Sequence, residues 1–267
     1  MTQAGQRHMA AGKEDHVEID GFRIRYWASD PPQPTETVVL LEGMTWGVSA
    51  LREVLGQQYR VRAFELPGCG ESPINTRSQS VSELARTLAQ ATAQVVQETY
   101  TLIGTSFGAH VALWQTLQVP EKIETLVLIA PTAFLLVDAM VEDMARQLFA
   151  HPDQAHGFLS MAPAVVAKEQ ALVQRLTGGR HDAEAERRLG EIPCPTLVLF
   201  GSEDRLVAPE AARLYRARIS NSNIAFIYDA GHLIEADRPE ALISTVSDYV
   251  ELQETFIVGR QSGIINP

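Results

Sequence analysis

Three residues, spaced far apart along the chain, have the types needed to turn a hydroxyl into a nucleophile for an acyl carbonyl: Ser106, Asp204 and His232. A serine hydroxyl attacks poorly until a base takes its proton. An imidazole does this best when a carboxylate holds its tautomer and stabilises the charge it gains. Ser106 lies in Gly104-Thr105-Ser106-Phe107-Gly108, the only G-x-S-x-G in the chain. It follows the apolar run YTLIG and opens the apolar stretch Phe107 to Val119, which stops at Pro120. Strand, sharp turn and helix in that order lift the serine to the end of a sheet, and the flanking glycines let strand and helix pass closely. The Phe107 N–H, at the start of the helix, then faces the same space as an oxyanion donor.

Seven histidines could supply the base. His232 is favoured, because FIYDAGHLIEADRPEAL places it in a loop after the last apolar strand, before a helix, at the end of the sheet where Ser106 emerges. His8 and His16 belong to or adjoin the N-terminal tail, and His151, His156 and His181 read as solvated surface. His110, one turn beyond Ser106 on the buried helix, reads as a hydrogen-bonded packing residue. Asp204 follows a core strand in LVLFGSEDRLVAP, and 28 positions separate it from His232, enough for one helix and one strand. Glu203 beside it and Asp138 after the preceding strand are its rivals. Cys69, in the Gly-Pro loop LPGCGES, could be exposed near the site, while Cys194 packs at a strand entrance. Neither has a flanking His or Lys to activate a thiolate.

The elements that must position these residues alternate along the chain. Continuous apolar runs at 37–41, 60–65, 100–104, 123–130, 195–201 and 223–228 suit parallel strands covered on both faces. HVEID and FRIRYW, joined at Asp20-Gly21, signal an antiparallel hairpin ahead of them. Residues 81–97 form a helix with Ser80 and Glu83 as a capping box. Pro209 to Ile219 and Pro239 to Phe256 are helices with proline near their starts. The expected architecture is α/β: one mostly parallel, twisted sheet flanked by helices. Residues 132–192 hold no convincing strand and read as a helical cap inserted after the sixth strand, of a length usual for lids. Residues 15–131 and 193–256 are then the core, with tails at 1–14 and 257–267.

Composition sets outer limits. With 45% hydrophobic residues among 267, the chain can bury one large core. A formal charge of −11, without a Lys/Arg cluster, is expected to exclude nucleic acid and anionic membranes as partners. No stretch reaches the roughly 18 apolar residues of a membrane span, and the first sixteen residues lack a signal peptide's apolar core. Two distant cysteines fit reduced thiols, so a cytoplasmic location is expected. The expected partner is a small-molecule substrate, handled by a monomer or homodimer without metal or cofactor.

Together, the elbow, the acid loop and the Gly-His loop resemble the α/β-hydrolase superfamily, in its serine-nucleophile, esterase and C–C hydrolase-like branch with a helical cap. The resemblance covers about residues 16–256. VVLLEGMTW is similar to the strand and loop that supply a second oxyanion donor, and FELPGCGES to the family's D-x-P-G-x-G-x-S loop. The resemblance implies that the Met44 N–H partners that of Phe107. Two departures stand out. Glu42-Gly43 replaces a common His-Gly, so that Glu42 either bonds loop amides, tunes substrate charge preference or raises the local proton affinity. Glu65 replaces the usual Asp of the x-P-G loop.

The reaction expected is hydrolysis of a small-to-medium, largely apolar carboxylic ester through an acyl-enzyme. C–C bond hydrolysis, perhydrolysis, or ligand binding with little turnover are the alternatives. Apolar pocket candidates are Phe107, Met44, Trp46, Phe134, Leu135, Leu136, Met140, Met144, Phe149, Phe158 and Met161, of which some must form the cap's own core.

Overall fold

A computed structural model describes residues 12–43, 49–134, 144–153, 162–178, 181–208, 210–253 and 264–265. Strands β1 (Lys13–Ile19) and β2 (Phe22–Ser29) pair antiparallel, with Ile19 opposite Phe22. Asp20 and Gly21 between them have φ of 48° and 74°, the paired left-handed residues of a tight hairpin turn. Pairing begins at Lys13 opposite Ala28, so the ladder claims Lys13 and Glu14 from the expected tail.

The remaining strands are β3 (Thr37–Glu42), β4 (Arg60–Glu65), β5 (Tyr100–Thr105), β6 (Ile123–Ile129), β7 (Thr196–Gly201), β8 (Ser222–Ile227) and the short β9 (Ile264–Ile265). Among the described residues they form one nine-stranded sheet in the order β1-β2-β4-β3-β5-β6-β7-β8-β9. β2 runs antiparallel to β4, and every pairing from β4 onward is parallel. β9 lies within the expected C-terminal tail and extends the sheet beyond β8. The order doubles back between β3 and β5, and such a reversal opens a crevice at the strands' carboxyl ends.

Helices cover both faces: α1 (Ala50–Leu55), α2 (Val81–Val95), α3 (Phe107–Gln118), α4 (Met144–Leu148), α5 (Pro163–Thr177), α6 (Ala183–Arg188), α7 (Glu210–Arg218), α8 (Ile234–Asp237) and α9 (Pro239–Leu252). One core unites α2, α3 and α7 with one face of the sheet, and a second unites α1 and α9 with the other. α3 is buried at every position but its last, as its apolar sequence requires. Each of its buried aliphatic side chains contributes about 1.5–3 kcal/mol relative to exposure. The Ser80 hydroxyl accepts the Glu83 N–H at the start of α2, while Glu83 turns back to the Gln79 N–H. α9 stops at Leu252, short of the expected Phe256, because Gln253 has a φ of 43° that a helix does not continue through.

Between β6 and β7 the described residues form α4, α5, α6 and a short 3₁₀ turn, with no strand. α5 grips the loop after β4. Lys168 donates to the Gly70 and Ser72 carbonyls, Glu169 accepts from the Gly70 N–H, and Arg175 donates to the Asn75 and Ser78 carbonyls. Among the described residues, no helix is long and apolar enough to cross a membrane.

Candidate active site

Ser106 ends β5 and caps α3 with φ 51° and ψ −118°, a conformation that costs a non-glycine residue roughly 1–3 kcal/mol. The surroundings enforce it. The Ser106 N–H donates to the Ile129 carbonyl on β6 at 2.8 Å. A methyl on Gly104 would sit 2.5 Å from the Ala109 Cα, and one on Gly108 only 2.1 Å from the Leu41 carbonyl oxygen. Both glycines are therefore required by close backbone approach, and the strained serine is left partly exposed above the sheet.

Ser106 Oγ lies 2.8 Å from His232 Nε2, and His232 Nδ1 lies 3.0 Å from Asp204 Oδ2. The other Asp204 oxygen accepts the Leu206 and Val207 N–H groups at 2.8 and 2.9 Å. The His232 and Asp204 side chains are only 1% and 3% exposed, so water does not compete for these bonds. Burial pushes the Asp204 carboxyl up, but His232 and the two backbone N–H donors outweigh it and hold the acid below its usual range. An ionised Asp204 favours the proton on Nδ1, which leaves Nε2 free to accept one from Ser106. The adjacent Glu203 is exposed, and Asp138 lies outside the described residues.

The crevice between β3 and β5 brings Gly43 close to Ser106. A methyl on Gly43 would lie 3.3 Å from Ser106 Cβ and 3.5 Å from the Phe107 nitrogen. The Gly43 N–H donates to Thr105 Oγ1 at 3.0 Å, so the hydroxyl preceding Ser106 fastens the end of β3. The Phe107 N–H, first in its helix, has no intrahelical acceptor, while its ring is buried edge-on to His110. Glu42 pairs with Arg52 on α1 at 3.0 Å. Glu65 is structural: it accepts from the Ser72 N–H and pairs with Arg25.

The His232 and Asp204 loops are braced from outside the sheet. Asp237 Oδ2 accepts both the Gly231 N–H at 2.7 Å and the Ala150 N–H at 2.9 Å, and the Leu233 N–H donates to the Leu148 carbonyl. Arg205, beside Asp204, donates to the Arg146 carbonyl. Leu148 and Phe149 fill the space between Leu206, Leu233 and Ala236. Phe149, a pocket candidate, thus packs beneath the acid and base loops. Phe134 is fully buried against Tyr215 and His181. Met44, Trp46, Leu135, Leu136, Met140, Phe158 and Met161 lie outside the described residues, as does the Met144 side chain.

Cys69 is buried rather than exposed, because its loop is folded under α5, and burial pushes its thiol far up. His110 is a packing residue with a partner that sequence did not supply. Its Nε2 meets Asp182 at 2.8 Å, and Trp114 donates to the same carboxylate oxygen at 2.7 Å. Burial opposes ionisation of Asp182, but His110, the Ala185 N–H and Trp114 lower its pKa to about 2. Among the described residues, no group of three or more His, Cys, Asp or Glu is placed to hold a metal.

Comparisons with known proteins bear on the family and the fold. A family model described as the alpha/beta hydrolase family matches residues 38–245. A 2-hydroxy-6-oxononadienedioate/2-hydroxy-6-oxononatrienedioate hydrolase of Klebsiella pneumoniae subsp. pneumoniae is 24% identical over 94% of this chain and 99% of its own. Among solved structures, a bacterial membrane phospholipase A superposes with a TM-score of 0.75 at 22% identity, covering 92% of this chain and 87% of that one. An esterase from Thermogutta terrifontis gives 0.74 at 21% identity, covering 91% and 98%.

Proposed function

Since the chain belongs to the alpha/beta hydrolase family and is a hydrolase of that superfamily, we propose that it cleaves a largely apolar carboxylic ester through an acyl-enzyme on Ser106. The observation that carries this reading is the unbroken run of short contacts from Ser106 Oγ through His232 to a buried, ionised Asp204. Ser106 Oγ attacks the acyl carbon as its proton passes to His232 Nε2, and the C=O electrons move onto oxygen. The Phe107 N–H stabilises that oxyanion, joined by the Met44 N–H that the family resemblance implies. Collapse expels the leaving alkoxide, which takes the proton from His232. Water then gives a proton to His232 and attacks the acyl carbon, releasing the acid and restoring Ser106.

The segment 132–192 serves as the cap over this site. Its 148–150 stretch rests on the His232 loop, and α5 rests on the loop after β4. A monomer or homodimer acting on a small molecule without a cofactor, in the cytoplasm, completes the reading.

A second reading has support of its own. The Klebsiella relative, aligned along nearly its whole length, is named for hydrolysis of 2-hydroxy-6-oxononadienedioate and 2-hydroxy-6-oxononatrienedioate. The same serine, base and acid would serve C–C cleavage beside a ketone. Turnover of p-nitrophenyl acetate and butyrate by the wild type, compared with Ser106→Ala, tests the first reading. Loss of absorbance from a 2-hydroxy-6-oxo-dienoate tests the second. Equal slow ester release from wild type and Ser106→Ala would sink the ester reading.

A further inference from the structure

Glu42 is the residue at which this chain departs most from what its resemblance implies, and the structure gives it an unusual setting. It ends β3, and the next residue, Gly43, lies close enough to the elbow that an added Cβ would sit 3.3 Å from Ser106 Cβ and 3.5 Å from the Phe107 nitrogen. Its side chain is only 13% exposed. One oxygen pairs with Arg52, and the other is buried with no hydrogen-bond partner among the described residues. Arg52 is itself partly buried over the Trp27 ring, and its Nε has no partner among the described residues.

The charges facing Glu42 come from three elements. From α1 come Arg52 and the Ser49 hydroxyl at its N-cap. From α8 comes Glu235, whose carboxylate accepts from Ser49 Oγ and the Leu51 N–H and which lies three residues past His232. From β4 comes Glu65, already paired with Arg25. The start of α1 therefore holds carboxylates from two sides of the site, Glu42 at the end of β3 through Arg52, and Glu235 in the helix after His232 through Ser49 and the Leu51 N–H.

We infer that the Glu42–Arg52 ion pair is a positioning device for Gly43 and the nucleophile, so that the site works with Glu42 ionised and slows when Glu42 takes a proton. The inference rests on the acyl-transfer reading of Ser106. The pair is the charged link between Glu42 and α1, next to the Gly43 N–H bond to Thr105. Burial raises the Glu42 pKa to about 7, with Arg52 opposing the shift and Glu235 and Glu65 adding to it. Loss of the charge thus falls across neutral pH rather than in acid. The acid limb of activity then includes the protonation of Glu42.

The rate of Ser106 labelling by a fluorophosphonate tests this without knowledge of the substrate. Wild type, Glu42→Gln and the double variant Glu42→Gln/Arg52→Gln are labelled between pH 5 and 9, with unfolding midpoints measured alongside. The double variant leaves no orphaned guanidinium, so it keeps the test alive if Glu42→Gln folds poorly. The expected result is labelling slowed about tenfold above pH 8 in both variants, as slight misplacement of reacting groups produces. Because glutamine imitates the protonated carboxyl, the wild-type rate should fall toward the Glu42→Gln rate as pH drops through about 7. Variants that match the wild-type rate throughout, or lag it by the same factor at every pH, would overturn this inference and leave the acyl-transfer reading standing. A wild type that is never labelled at Ser106 would overturn both.

Discussion

The Asp237 carboxylate holds two backbone N–H groups with one oxygen, that of Gly231 at 2.7 Å and that of Ala150 at 2.9 Å. Gly231 precedes His232, the proposed base, and Ala150 belongs to the segment between β6 and β7. The position of the imidazole is thereby linked to a region that contributes none of the three proposed catalytic side chains. Asp237→Ala should lower kcat about tenfold with little change in KM, since a small displacement of a reacting group costs rate more than binding. Steady-state ester hydrolysis checks this, and an unchanged kcat would show that the loop holds its place without the carboxylate.

Asp204→Asn should leave the fold intact and reduce kcat on the order of 10³–10⁴-fold, because an amide can pair with the wrong tautomer of His232. Glu203→Gln, an exposed neighbour, should change kcat less than twofold, about what a surface substitution away from the site produces. Measured side by side, the two variants decide between the adjacent carboxylates.

Gly108→Ala should prevent normal folding or destabilise it by about 3 kcal/mol or more, because the new methyl meets the Leu41 carbonyl oxygen at 2.1 Å and cannot turn away. Urea denaturation reads the loss directly. A midpoint within error of the wild type would mean that α3 and β3 do not approach as described.

Glu36 offers a pH test independent of catalysis. Burial and the nearby Glu124 raise its pKa to about 7, and one of its oxygens is buried without a partner among the described residues. A carboxyl whose folded pKa lies above its unfolded value binds protons better in the folded state. Its ionisation therefore costs stability as pH rises from about 4.5 to 7, and the cost is constant above that. Glu36→Gln should raise the urea midpoint at pH 8 and leave it nearly unchanged at pH 4.5. A gain at the low pH alone would contradict the assignment.

What the sequence disclosed was what local pattern can carry. The Asp20-Gly21 hairpin, the apolar β5 before Ser106, the apolar α3 after it, and the acid and base loops after β7 and β8 all follow from periodicity, turn chemistry and chain order. The partners made by long-range closure were not legible. Nothing near His110 announces Asp182, 72 residues away, and nothing near Gly231 announces Ala150. Glu42 could be flagged as a departure, but Arg52 as its partner depends on α1, a helix too short for its period to show. The Thr105 hydroxyl was within reach, since it sits inside the motif, yet only the fold shows that it faces Gly43. The glycines and proline around Cys69 leave its exposure open, whereas α5 covers that loop and buries the thiol.

The central claim is that Ser106 carries the acyl group between two half-reactions. The most direct measurement is rapid acid quench of the wild type during turnover of p-nitrophenyl butyrate, followed by mass analysis of its peptides. The expected result is a butyryl increment on the peptide containing Ser106, formed within the burst of p-nitrophenol and absent from Ser106→Ala. An increment on another residue, or Ser106→Ala turning over at the wild-type rate, would contradict it.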